Sequence, residues 1–129
     1  MKTLEYILLA SPLLVHLAID YNGEVKHKLN AAYVFGIALL VGFVLPGFFW
    51  QGTFYSLCIH FAFFDPMYNM MHGHNFFYYG DPKNPDRAWM DKLREAYVPP
   101  HAEVFIRLWV LGVGIGVYHY LPLIIGYIP

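Results

Sequence analysis

Side chains able to accept, donate or hold charge are sparse in this chain, and they recur at helical spacing. Projected at about 100° per residue, Glu5, Pro12, His16 and Asp20 fall on one stripe. Asp65, Asn69 and His72 form a second stripe, and Glu103 with Arg107 a third that also carries Gly114 and Tyr118. Facing imidazoles, carboxylates and a guanidinium suit two kinds of chemistry, proton or ion movement and charge neutralisation inside an apolar surround. Arg107 is expected to meet Asp65, Asp20 or Glu103. For Asp65 with Arg107 a purely structural ion pair and a functional role stand side by side, because either one accounts for a buried charge. Asp20 and Glu103 also read as residues sitting in water at helix ends.

His60 and His119 make a separate pair at similar depth. Each could bond a neighbouring helix backbone, or the two could ligate haem from opposed helices. His119 shares a stripe with Gly112 and Gly116, a small-xxx-small pattern that predicts close packing of this helix against the third helix or another copy. His72-Gly73-His74 and His101-Ala102-Glu103 flank a long connection and supply the ligand types of a metal site. In that reading His72, His74 and His101 hold Zn, Fe or Mn, with Asp65 or Glu103 as acid and base toward a lipid-like substrate. The spacing matches no HExxH or paired-cysteine signature, and loop histidines beside Gly read equally as interfacial residues. The expectation is a chain without a resident cofactor, Zn, Fe and haem being the alternatives.

The elements that must position these groups are apolar. Of 129 residues 58 % are hydrophobic and 13 % charged, and the mean hydropathy is +0.43, a balance that makes lipid the expected solvent. A net charge of −1 leaves no basic face for nucleic acid. Cys58, the single cysteine, reads as a small buried hydrophobe. Four runs, 4–20, 31–50, 53–71 and 104–128, each approach the length that crosses a hydrocarbon core of about 30 Å at about 1.5 Å per residue. They lack alternation, so the predicted fold class is all-α: a polytopic bundle of four transmembrane helices forming a single transmembrane domain. No small-x-small cleavage pattern follows Leu17, so the first run is expected to be retained. Pro66 should kink the third helix, and a re-entrant third segment is the structural alternative.

Short polar turns at Asp20 to Asn30 and Pro46 to Gly52 predict antiparallel neighbours. The third connection, Gly73 to His101, is the one sizeable polar piece. Within it an interfacial helix is expected over 85–97, with Asn84 as cap, Pro85 and Asp86 in its first turn, and Trp89, Met90, Leu93, Ala96 and Tyr97 on its apolar side. Arg87, Asp91, Lys92, Arg94 and Glu95 are then expected in water. Lys26, Lys28, Lys83, Arg87, Lys92 and Arg94 place connections 20–30 and 73–101 in the cytoplasm and both termini outside it, against Lys2 alone on the other face. The polar stripes then gather in the cytoplasmic half of what is expected to be a bacterial inner-membrane protein.

The stretch Phe64-Asp65-Pro66-Met67-Tyr68-Asn69, continuing to Gly73, Phe76, Tyr79 and Gly80, resembles a group of uncharacterised small multi-pass membrane proteins of bacteria and their phages. The resemblance implies a polytopic protein and brings no activity, cofactor or catalytic residue with it. The expected role is an accessory or self-assembling membrane component acting through helix packing, with the lipid bilayer and a membrane protein or its own copy as partners. A proton or ion pathway through His16, Asp65 and Arg107 and a cytoplasm-facing metal-dependent enzyme are the two alternatives.

Overall fold

The computed structural model describes residues 2–22, 27–45, 49–76, 78, 83 and 89–126. Its elements are all helical: α1 (Lys2–Asn22), α2 (His27–Val44), α3 (Phe49–Met71), α4 (Trp89–Tyr97), α5 (Pro100–His119) and α6 (Leu121–Gly126). No strand occurs among the described residues.

Prolines set several of the boundaries. The second expected helix, 31–50, ends instead at Val44, because Pro46 lacks a backbone donor and disfavours helical geometry in the residue before it. Phe49 and Trp50 therefore open α3. The last expected span, 104–128, begins earlier, at Pro100, a proline inside the first turn, where its missing N–H costs nothing. That span is also broken at Tyr120, where Pro122 has no N–H to offer the Tyr118 carbonyl and α6 starts afresh. The expected helix 85–97 is described from Trp89 onward; Asn84, Pro85, Asp86 and Arg87 lie outside the described residues.

α3 is continuous over 23 residues, about 35 Å at about 1.5 Å per residue, so it is not a re-entrant pair of half-helices. It lies at the centre, packed against α1, α2 and α5, and α1 also packs on α2. Gln51, Ser56 and Asn69 on α3 are buried in those contacts. Two stretches are long and apolar enough to cross a membrane, Lys2–Asp20 and Pro100–Gly126, with Asn30–Val44 a shorter apolar helix. The polar residues of α3 keep it below the same measure, in keeping with its inner position. Of the Pro100–Gly126 window only 6 % is buried, so it is not the wrapped core helix of this fold.

Polarity runs inside out. Phe43, Phe105 and Trp109 are 76 %, 71 % and 69 % exposed, whereas Asp20, Asn30, Glu103 and Arg107 are buried. Charged residues buried in this way need partners, and Asp20, Glu103 and Arg107 each have one. The apolar core is small: Leu9, Val41, Leu45, Tyr55 and Cys58.

Glycine lets the helices meet. A Cβ on Gly42 would collide with Thr53 and the Phe49 carbonyl, so α2 and α3 touch there backbone to side chain. On α5 the packing glycine is Gly114, whose Cβ would stand 2.8 Å from Cys58 Cβ. Gly112 and Gly116 meet nothing within 4 Å, which corrects the expectation that their stripe packs on α3. The reason is angular: residues two apart on a helix point to nearly opposite sides, so seating Gly114 on α3 turns both others outward.

Candidate functional site

Two prolines inside helices create the first elements of the site. Pro12 leaves the Leu8 carbonyl without its helical donor, and the Ser11 hydroxyl donates to that oxygen at 2.7 Å. One residue on, Ser56 of α3 donates to the Leu9 carbonyl at 2.7 Å and so ties α3 to α1. Pro66 does the same to the Ala62 carbonyl of α3. Here the donor is Arg107 of α5, whose Nη1 bonds the Phe61 carbonyl and reaches the Ala62 carbonyl at 3.3 Å. A freed carbonyl has thus become part of an arginine site, and Phe61 also lies under the guanidinium, 5.3 Å from ring centre to Cζ.

The rest of Arg107 is held by carboxylates. Its Nε donates to Glu103 Oε1 at 2.8 Å, and its Nη2 pairs with Asp65 and Glu103. Of the three expected partners it reaches these two; Asp20 lies elsewhere. Arg94 of α4, expected in water, is turned inward. It donates to Asp65 Oδ2 at 2.7 Å and forms an ion pair with Glu103. Burial alone would lower the Arg94 pKa, but the hydrogen bond to Glu103 and the field of Asp65 outweigh it and the pKa is raised, so this guanidinium stays charged. Charge counting gives the physical reason for the correction: Asp65 and Glu103 facing Arg107 alone leave one negative charge over, and Arg94 supplies a second cation, which Asp91 also approaches at 3.5 Å. The result is a cluster of two guanidiniums with Asp65, Glu103 and, at its edge, Asp91, joining α3, α4 and α5.

A second group lies between α1, α2 and α3. His16 Nδ1 stands 2.8 Å from His60 Nε2, and His16 Nε2 lies 3.2 Å from Asp20 Oδ2 one turn along α1. Asn30 of α2 donates to the other oxygen of Asp20. The two imidazole planes differ by 10° with centres 5.0 Å apart, a distance that equals the hydrogen bond plus the two ring radii. The rings are therefore joined edge to edge in nearly one plane. Phe64 stacks on His16 at 3.9 Å and 4° and on His60 at 5.0 Å and 12°, so one aromatic face covers both. His16 and Asp20 side chains are 11 % and 4 % exposed.

His60 and His119 are not brought together. The angular position that turns His60 toward α1 gives it His16 as partner, while His119 meets Tyr6, its Nε2 3.4 Å from the hydroxyl. Next to it the Tyr118 hydroxyl donates to Glu5, and the Tyr55 ring lies 5.1 Å from that of Tyr118. This polar group at the far end of α1 and α5 has Glu5 in common with the expected first stripe and Tyr118 with the third; Tyr6 and Tyr55 went unread because tyrosine in a membrane-type sequence reads first as an interfacial belt.

The three histidines proposed as metal ligands do other work or lie apart. His72-Gly73-His74 is the stop of α3: Gly73 has φ +72°, His74 N–H bonds the Asn69 carbonyl at 2.8 Å and Gly73 N–H that of Met70 at 3.1 Å. This paired pattern closes a helix on a left-handed glycine. His72 Nδ1 lies 2.9 Å from the Tyr68 carbonyl, His74 stacks on Tyr78, and His101 is exposed in the first turn of α5. Asn69 holds the chain beyond that stop, donating to the Phe76 and Tyr78 carbonyls at 2.9 and 3.1 Å. Among the described residues no three His, Cys, Asp or Glu side chains are arranged to hold a metal ion.

No protein-family model matches the chain, and neither the curated proteins nor the solved structures contain a match to it; the geometry of these three polar groups is what any functional reading must rest on.

Proposed function

We propose that this is an integral membrane protein that spans the bilayer four times, through α1, α2, α3 and the α5–α6 pair, and serves as an accessory component that assembles with its own copy or another membrane protein through α5. One observation carries the reading: α5 rests on α3 by its Gly114 side and leaves its opposite side open. Phe105, Leu108 and Trp109 are more than half exposed on α5, and a shallow groove lies along Phe105, Ile106, Leu108 and Trp109. Gly112 and Gly116 leave room on α5 for a second backbone to approach. Lipid accommodates such apolar faces, and small residues on one of them favour helix association within it. The charge bias of the connections puts the α4 end in the cytoplasm and the termini outside.

Cross-linking in native membranes tests this. A Gly116→Cys chain is expected to yield a disulfide-linked dimer or a discrete adduct, with Gly114→Cys yielding neither, and the chain is expected to stay with membranes through alkaline carbonate. Release by carbonate would defeat the spanning reading. A detergent-solubilised monomer by mass, with no adduct from either variant, would defeat the assembly reading.

A further inference from the structure

We propose that the seam between α1 and α3 is a proton path, in which His60, His16 and Asp20 hand a proton from the middle of the bundle to the end where α1 meets α2. It rests on the spanning reading above and is independent of assembly through α5.

The three groups are in direct contact, so no bridging molecule is needed between them. With Asp20 ionised, His16 carries its proton on Nε2 facing the carboxylate, which leaves His16 Nδ1 as acceptor and obliges His60 to carry its proton on Nε2. A proton arriving at His60 Nδ1 then displaces the Nε2 proton onto His16 Nδ1, and His16 passes its own Nε2 proton to Asp20 Oδ2. Asp20 stands two residues from the end of α1 with its side chain 4 % exposed, and the proton passes from it to a water that must reach it at that end. Each ring resets by turning over, which restores its N–H to the starting side. The charge balance is closed at every step: one proton enters and one leaves, and the travelling charge is an imidazolium, first His60 and then His16, until Asp20 takes the proton and becomes a neutral acid.

The surroundings favour movement along the line over diversion from it. Phe64 covers both rings. Asn30 fixes the Asp20 oxygen that does not face His16. Among the described residues, the charged or titratable groups whose field reaches the seam include Asp65, beside His60, and Tyr68, beside Asp20; Asp65 is committed to Arg94 and Arg107, the α4 and α5 cations. On the opposite side of His60, Ser56 lies one helical turn away on the same face of α3, and Glu5, Tyr118 and Tyr6 occupy the far end. Water is the carrier class required between Ser56 and His60, and again between Ser56 and Tyr118.

Reconstitution of the purified full chain in phosphatidylcholine and phosphatidylglycerol vesicles, with a pH dye inside and a potassium diffusion potential across the wall, tests the path. Acidification severalfold faster than in protein-free vesicles is expected, falling to the protein-free rate in both His16→Gln and His60→Gln and persisting in Leu40→Ala, an exposed position on α2. Helical circular dichroism and flotation with the vesicles after carbonate show that each variant is folded and inserted. Wild-type protein that floats but leaves acidification at the protein-free rate overturns the path alone, as do glutamine variants that conduct like wild type or a flux carried equally by potassium. Protein that does not float overturns the spanning reading and the path with it.

Discussion

The two buried polar groups differ in a way that separates holding a helix from moving a charge. The cluster of Asp65, Arg94, Glu103 and Arg107 is cross-linked: Asp65 and Glu103 each meet both guanidiniums, Asp91 adds a contact to Arg94, and the Ala62 carbonyl that Pro66 frees takes the spare Arg107 donor. The seam of Asp20, His16 and His60 is linear, and its two imidazoles can each change protonation without losing the chain of contacts. Saturation makes a clamp, whereas a row of half-used donors and acceptors makes a relay. The comparison is broken if variants of the clamp are tolerated while conservative variants of the seam unfold the protein.

The largest effect is expected from Arg107→Met. It leaves the buried Glu103 and the half-buried Asp65 facing Arg94 alone, removes the Phe61 carbonyl's second donor and strips the Ala62 carbonyl, freed by Pro66, of its one donor from Arg107. Removal of one member of a buried ion pair costs about 3–5 kcal/mol, so this chain should melt far below the wild type in detergent, or not accumulate at all. A double Arg107→Met, Glu103→Gln variant removes the surplus charge and should recover part of the loss. Wild-type melting of the single variant would show that the cluster is hydrated and carries little of the fold.

Next comes the glycine contrast. Gly114→Ala puts a methyl group 2.8 Å from Cys58 Cβ and 2.9 Å from the Tyr55 ring, an overpacking worth about 1–3 kcal/mol. Gly116→Ala meets open space and should change the melting of the solubilised chain by no more than about 0.5 kcal/mol. Equal penalties at the two positions would mean that α5 is rotated relative to α3.

These positions also show how much was legible beforehand. The stripes on α1, α3 and the Pro100 helix follow from helical spacing alone, so the partners of Arg107 on its own helix and on α3 could be named from sequence. What spacing could not supply was the rotation of one helix against another. A turn of α5 by two residues decides between Gly114 and the Gly112 and Gly116 pair, and the facing of α3 decides whether His60 finds His16 or His119. Arg94 was missed for a different reason: an arginine on a short amphipathic helix reads as solvated, and only the uneven charge count at Asp65 and Glu103 pointed to it. His72-Gly73-His74 drew attention as ligands although Gly73 was the informative residue, being the one that a left-handed helix stop requires.

Arg94→Ala is expected to act locally. This side chain ties α4 to Asp65 and Glu103 of the bundle, and the backbone joins α4 to α5 through Val98 and Pro99. Hydrogen bonds to charged groups are worth about 1.5–3 kcal/mol, but the cluster is partly open here, with Asp65 at 35 % exposure, and about 1 kcal/mol is the more fitting scale. That corresponds to about fivefold more frequent opening of α4. Tyr97 is 79 % exposed, so chymotrypsin cleavage there should accelerate by that factor while the melting of the bundle moves less than in Arg107→Met. Unchanged cleavage would show that α4 is held chiefly by lipid on its apolar side.

The smallest stability effect belongs to the seam, and it is the sharpest part of the comparison. His16→Gln keeps a polar side chain of similar reach against Asp20 and His60, and single interhelical hydrogen bonds in membranes average about 0.6 kcal/mol. Melting in detergent should therefore stay within about 1 kcal/mol of wild type, well inside the penalty at Arg107. A loss comparable to that of Arg107→Met would place His16 and Asp20 in the same class as the clamp, because only a group whose charge or bonds cannot be replaced by a neutral amide costs so much. Small loss of stability is what a relay requires: a chain of groups that must gain and release a proton repeatedly cannot also depend on one protonation state to keep its helices together.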